Sequence, residues 1–311
     1  MGSELKRRRR REDLKALPYL LPWLIGVIVF YGYPLVTTVY FSFTRYDQIN
    51  PPKFVGLRNW VYVFTQYGPF LHAMSNTFWL ILFMVPASTL FGLITASVVL
   101  RIRRGAGVFR TLFYLPFLAP PVAATLAFVF VLSPNGPINS LLGKIGIQGP
   151  SWFNDPRTAK LALTLLALWG IGNLMVIFLA SLLDVPREHY EAASLDGAGP
   201  VSQFWYVTLP AIKPIIMFSV VTGVIQTMQY YTQALVAGQV ASGESLGPGT
   251  AFIAGYPSGS TLTLPLLIYN LGFQNFNTGA ASVVSVVLIV LAMGFTMLLL
   301  RRGSVFLAEG D

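Results

Sequence analysis

Gln226, Gln229 and Tyr230 stand inside a stretch of otherwise apolar residues. Their offsets of i, i+3 and i+4 put them on one face of a helix. Two amides and a phenol so placed donate and accept hydrogen bonds without carrying charge, and the ring adds an apolar face for stacking. That chemistry suits an uncharged, hydroxyl-rich solute. It also suits plain hydrogen bonding between helices in a membrane, worth ~0.6–2 kcal/mol per bond. Thr222 extends the group by one turn, and Trp169, Gly172 and Asn173, beside Gly170, form a similar group in an earlier apolar stretch. Covalent chemistry has no comparable support. The chain has no cysteine, and its two histidines, His72 and His189, stand far apart with no spacing of metal ligands around them. No catalytic residue and no metal site are expected. Gly136 to Gly143-Lys144 comes nearest to a phosphate-binding loop, but the spacing is wrong and neither Ser nor Thr follows Lys144. The chain is therefore not expected to hydrolyse ATP, nor to carry a cofactor of its own.

The elements that must position these residues follow from composition. Of 311 residues, 54% are hydrophobic and 11% charged, where a soluble domain carries about 25% charged residues. The apolar residues come in blocks, and about 20 in a row span a hydrocarbon core of ~30 Å as a helix. Six spans are expected: Leu17–Phe43, Asn76–Leu100, Thr111–Leu132, Leu161–Leu183, Pro214–Val236 and Ala280–Leu300. Pro116, Pro120 and Pro121 should kink or break the third. The fold class is thus an all-α polytopic membrane protein.

Charge gives the orientation. With six spans, one side holds the arm Lys6–Lys15, Arg101, Arg103, Arg104, Arg110, Arg187, Lys213, Arg301 and Arg302, fifteen of the 21 basic residues. The other holds Arg45, Lys53, Arg58, Lys144, Arg157 and Lys160. The excess puts both termini in the cytoplasm. The net charge of +9 is concentrated in that arm, beside the first span, where it anchors to membrane lipid, so nucleic acid is not an expected partner. The apolar part after the arm is too long for a secretory signal and no cleavage site follows. Residues 1–16 are read as a cytoplasmic arm, 17–303 as the membrane domain and 304–311 as a tail.

The outer loops look ordered but small. Asn50–Phe70 is aromatic enough to lie at the membrane interface, Trp152 and Phe153 should anchor Ser133–Lys160, and Gly238–Gly259 is glycine-rich and nearly uncharged. The apolar run Leu262–Tyr269 is too short to span and reads as an interfacial helix or a re-entrant turn.

One cytoplasmic loop breaks the pattern. Residues 184–213 carry Asp184, Glu188, Glu191 and Asp196 against Arg187 and Lys213. Pro186 suits the start of a helix and Gly197 or Gly199 its end, predicting a short helix over 187–198. Ala192, Ala193 and Ser194 allow another backbone to come close, and Phe204, Trp205 and Val207 make an apolar patch of the kind that binds a partner.

Glu191-Ala192-Ala193, three residues, Gly197, nine residues, Val207, one residue, then Leu209-Pro210 resembles the EAA loop of ABC importer permeases, departing from that pattern by Val for Ile at 207. Phe54–Trp60, Tyr114-Leu115-Pro116 and Tyr269–Ser282 resemble stretches of the carbohydrate-uptake branch, as in its MalF-like first permease subunit. The resemblance implies the type I importer (MetI-like) fold in a bacterial or archaeal cytoplasmic membrane. It implies a second permease subunit in a heterodimer, two ATPase subunits that bind ATP and Mg, an external solute-binding protein, and a sugar, mono- to oligosaccharide, as substrate. It assigns Glu191, Ala192, Ala193, Asp196, Gly197, Leu209 and Pro210 to coupling with the ATPase. It also places sugar contacts on the helices bearing Trp169, Gly172, Asn173, Thr222, Gln226, Gln229 and Tyr230. No basic residue sits in mid-span, which favours a neutral sugar over glycerol 3-phosphate; the same importer architecture for glycerol 3-phosphate or another polyol is the alternative. An ion-coupled transporter would need carboxylates deep in a span, and the sequence has none; a channel would need rings of charge or a filter-like loop, for which Gly238–Gly259 is only a weak candidate.

Overall fold

Inside a bilayer an unbroken apolar segment satisfies its own backbone only as a helix, and the computed structural model is accordingly helical. It describes residues 18–102, 104–243 and 255–308. The basic arm 1–16, Arg103, residues 244–254 of the glycine-rich loop and residues 309–311 of the tail lie outside the described residues.

Three helices among the described residues are long and apolar enough to cross a membrane unaided: α1 (Pro18–Ser42), then Gly68–Arg101, then Thr278–Arg301. Three bent pairs raise the count to six when each pair is one span. Ala106–Leu118 and Pro121–Val131 meet at 100°, Ala159–Trp169 and Gly172–Asp184 at 52°, and Pro200–Ala211 and Lys213–Met228 at 66°. In chain order the helices after α1 are α2 (Arg58–Val61), α3 (Gly68–Arg101), α4 (Ala106–Leu118), α5 (Pro121–Val131), α6 (Pro137–Lys144), α7 (Ala159–Trp169), α8 (Gly172–Asp184), α9 (Arg187–Leu195), α10 (Pro200–Ala211), α11 (Lys213–Met228), α12 (Thr232–Ser242), α13 (Leu264–Tyr269) and α14 (Thr278–Ala308).

Several boundaries differ from the expected ones for local reasons. The second span begins at Gly68, well before Asn76, because Pro69 at its first turn lacks an N–H that would go unpaired there. The third span is two helices: Pro120 and Pro121 remove donors from the ladder, and Pro120 is extended. The fifth ends at Met228; Gln229–Tyr231 are not helical, and α12 begins anew at Thr232. The last helix runs on to Ala308, past Leu300 and into the expected tail. Leu262–Tyr269 is packed into the protein: Leu264, Leu266 and Leu267 are fully buried in the main core, and α13 packs on α14 and α3.

That core lies towards the end of the bundle where α3 starts, and joins Phe70 to Met84 of α3 with Leu163, Leu271 and Val284. A second cluster sits at the opposite end of α3, where Leu93, Ala96 and Val99 meet Met175, Phe178 and Ile212. α1 differs from both. Its first buried residue is Ser42, and it touches the rest mainly through α14, so nearly its whole circumference is apolar and uncovered.

The loop after α1 is ordered by short-range bonds. Thr44–Arg45 pairs antiparallel with Lys53–Phe54. The Asp47 carboxylate at the turn accepts from the Asn50 N–H, the Asn50 side chain and the Ile49 N–H, which holds its carboxyl down at about 2. Asn59 donates from Nδ2 to the carbonyls of Ser42 (3.0 Å) and Thr44 (2.8 Å), and Trp60 donates to Ser42 Oγ. This gives a physical role to residues that carry the family resemblance at 54–60. In the next loop Phe153 is buried in the main core, while Trp152 donates to Asn139 Oδ1 at 3.0 Å.

Candidate functional site

Three of the four backbone breaks, those at α4–α5, α7–α8 and α11–α12, converge on one cavity, and the α10–α11 bend does not. A volume of about 550 Å³ is lined by Pro116 and Phe117 before the α4–α5 bend and by Trp169, Gly170, Ile171 and Asn173 around the α7–α8 bend. Gln229, Tyr230 and Gln233 at the α11–α12 break complete that side. α3 contributes Met84, Val85, Ser88 and Thr89, and α11 contributes Ser219, Thr222, Gln226 and Thr227. Broken helices at membrane depth are tolerated where the irregular backbone is buried in protein or lines a cavity, so the prolines and glycines and the polar lining have one cause. Among the described residues, none of those lining the cavity is charged.

Six of the seven residues expected along the path line this cavity: Trp169, Asn173, Thr222, Gln226, Gln229 and Tyr230. They do so in different ways. Gln226 and Gln229 are exposed to it, and among the described residues their amides have no hydrogen-bond partner. Thr222 turns its hydroxyl back onto Phe218 O at 2.8 Å. Trp169 meets Phe128 with ring centroids 5.4 Å apart, and the residue is 41% exposed. Tyr230 is buried, with its phenol donating to Leu163 O at 3.4 Å. The helical wheel assumed from the sequence does not hold for it, because the helix has ended two residues earlier.

Gly172 does not line the cavity. A Cβ there would stand 2.5 Å from Phe113 O and 2.6 Å from Tyr114 Cα. It is a close-approach glycine that lets α4 cross the start of α8. Gly172→Ala should therefore cost about 1–3 kcal/mol by overpacking, read as lower abundance in the membrane and a lower melting temperature of the detergent-solubilised protein. Unchanged values for both would show that the crossing can relax.

Residues missed from the sequence include Ser88, Thr89 and Gln233. Hydroxyls are quiet signals in apolar helices, since Ser and Thr satisfy themselves on nearby carbonyls; Thr89 meets Ser219 hydroxyl to hydroxyl at 3.3 Å. Gln233 lies beyond the break, on a helix the sequence joined to the one before.

At the far end of α3 the loop 184–213 forms a second site. α9 covers Arg187–Leu195 and has no buried residue, and Glu191 and Ala192 face outward. It stops in a paired turn: Ala198 N–H bonds Ala193 O (2.9 Å) and Gly197 N–H bonds Ser194 O (3.1 Å), with Gly197 left-handed at φ 80°. Asp196 caps the helix by bonding its N–H to Ala192 O, its side chain exposed. Three side-chain bonds tie the returning chain to α9 and its closing turn: the Tyr190 and Thr208 hydroxyls lie 2.9 Å apart, and Gln203 donates to Ser194 Oγ (2.9 Å) and Ala198 O (3.1 Å). These pins were not foreseen.

The apolar patch is also redrawn. Phe204 and Leu209 turn inward and pack on the second core cluster, so Leu209 supports the loop from below, and Pro210 starts the last turn of α10. The exposed apolar side chains are Leu195 (89%), Val201, Trp205 and Tyr206 (80%). A π-type turn at Phe204–Thr208 rotates the chain and separates Trp205 and Tyr206 from Phe204. Among the described residues no group of His, Cys, Asp or Glu is arranged to hold a metal ion.

Residues 88–304 match the family described as the binding-protein-dependent transport system inner membrane component. A probable ABC transporter permease protein of Bacillus subtilis, YesP, is 33% identical over 297 residues, covering 95% of this chain and 92% of that protein. The lactose transport system permease protein LacF of Rhizobium radiobacter is 31% identical over 295 residues, covering 92% and 94%. In fold the chain is similar to a crystallised bacterial ABC transporter chain involved in import of the acidic polysaccharide alginate, with a TM-score of 0.76 at 22% identity over 97% of this chain and 98% of that one.

Proposed function

The chain belongs to the family of binding-protein-dependent transport system inner membrane components, and we propose that within it this chain is a permease subunit of an ATP-driven sugar importer. It pairs with a second, different permease to close the path around the cavity. A solute-binding protein delivers the sugar from outside. Of two ATPase copies, which hold ATP and Mg, one docks at the face formed by α9 and its C-cap, with Glu191, Ala192 and Asp196. Both termini lie in the cytoplasm, a placement supported by the arginine and lysine distribution, and the membrane is the cytoplasmic membrane of a bacterium or archaeon.

The observation that carries the substrate class is the cavity lining among the described residues: amides at Gln226 and Gln229 without partners, a part-exposed indole at Trp169, and no charge. Sugars offer hydroxyls to amides and apolar ring faces to aromatics. Glycerol 3-phosphate would need a cation, and none of the described residues lining this cavity is one.

The test is reconstitution of the chain with its partner permease, ATPase and binding protein in lipid nanodiscs. ATP hydrolysis is measured with the binding protein alone and with lactose, arabinobiose, raffinose or glycerol 3-phosphate. Stimulation by at least one sugar and not by glycerol 3-phosphate is the expected result. Stimulation by glycerol 3-phosphate alone would overturn the substrate class, and transport by the purified chain without the ATPase would overturn the whole reading.

A further inference from the structure

The break between α11 and α12 takes the Tyr230 carbonyl out of the helical ladder, where its partner would have been the N–H four residues on. Tyr230 is buried, so this carbonyl needs another donor. The donor comes from the far side of the outer loop: Thr263 Oγ1 bonds Tyr230 O at 2.9 Å. The same hydroxyl accepts from Leu266 N–H at 3.3 Å, capping α13. One hydroxyl thus donates to the broken turn and accepts from a helix start, and Thr263 itself is fully buried and does not line the cavity.

The segment that carries Thr263 is itself fastened to α3 by two successive residues. Asn76 Nδ2 donates to Gly259 O (2.8 Å) and Leu262 O (3.1 Å), and Thr77 Oγ1 accepts from Leu264 N–H (3.0 Å). Lys160 Nζ donates to Asn76 Oδ1 at 3.2 Å and lies 4.9 Å from the centre of the Trp79 ring, which fixes which way the Asn76 amide points. Residues 259–264 are therefore a strap held rigidly on one side by α3, with Thr263 reaching to the broken turn on the other.

We infer that Thr263 is a positioning residue for solute passage: through the Tyr230 carbonyl it sets the turn from which Gln229 and Tyr230 face the cavity. It touches no solute. This rests on the transport reading above. Serine keeps the hydroxyl, and valine keeps the shape without it.

The test uses the complete reconstituted complex and the two sugars of the panel above that the wild type carries fastest, each at saturating loaded binding protein. Thr263→Val should lower uptake of both about fivefold and change their ratio about twofold, with basal ATP hydrolysis unaltered, while Thr263→Ser stays within about twofold of wild type. The change in ratio is what a purely structural role would not produce. If Thr263→Val fails to accumulate, Thr263→Ala is compared with Thr263→Ser by the same criteria. Wild-type rates and ratio in the variant lacking the hydroxyl, or equal losses in both variants, overturn the inference and leave the transport reading standing. A wild-type complex indifferent to every sugar removes the reading and the inference together.

Discussion

Gly197→Val should cut sugar uptake by about tenfold or more while leaving the amount of permease in the membrane unchanged. Gly197 sits at φ 80°, where an ordinary L residue is strained by about 1–2 kcal/mol and a β-branched one by more. Strain there acts on one structure, the paired bonds from Gly197 and Ala198 that close α9. If the turn opens, Asp196 and the exposed face after Glu191 no longer hold a fixed angle to the rest of the loop. Abundance should be spared because a Cβ at Gly197 meets nothing within 4 Å and the residue is exposed. Gly197→Asn offers the control, since asparagine tolerates the left-handed region; it should recover much of the uptake. The measurements are uptake of labelled sugar and the amount of ATPase retained on the purified permease pair. Equal ATPase retention and equal uptake in glycine and valine forms would sink the docking role of this loop.

What the sequence disclosed and what it hid divide along physical lines. Apolar blocks announce helices because each must satisfy its own backbone, so α1 was legible almost to its ends, while α3 and α14 were legible over their apolar centres and each runs further at one end. The loop at 184–213 was legible because charge and small residues interrupt hydrophobicity, and Pro186 and Gly197 mark its helix. Hydropathy does not see direction, however. The bends at Pro120 and at Gly170–Ile171 and the break at Gln229–Tyr231 turn three expected spans into pairs, and only the first was signalled, by its prolines. The break at 229 has no proline or glycine in it. It is stabilised by Thr263, more than thirty positions away, and no local pattern can report such a bond. The same holds for the burial of α13: its apolar run is too short to span, and only α3 and α14 around it decide that it is core.

The break also decides what the two glutamines do. On a continuous helix Gln226 and Gln229 would be one stripe, well placed to bond a neighbouring helix. In the structure Gln229 ends α11 with its N–H shared between Ile225 O and Gln226 O, and both side chains open into the cavity without partners among the described residues. Replacing both with leucine therefore removes no bond among those residues. It removes two sites that a passing hydroxylated solute would use, each worth about 0.5–1.5 kcal/mol. The double variant should accumulate normally, keep its ATPase and its basal hydrolysis, and carry sugar about ten- to thirtyfold more slowly. Each single variant should show a smaller loss, and the two losses need not add, since both amides face one ligand. Leucine is close to glutamine in volume, so steric closure of a cavity of about 550 Å³ is not the cause of the slowing. The measurement is uptake by the reconstituted complex at saturating loaded binding protein, beside ATP hydrolysis on the same sample. Normal uptake in the double variant would mean that the solute crosses this region without touching the amides. Loss of hydrolysis together with uptake would mean that the glutamines hold the two permeases together.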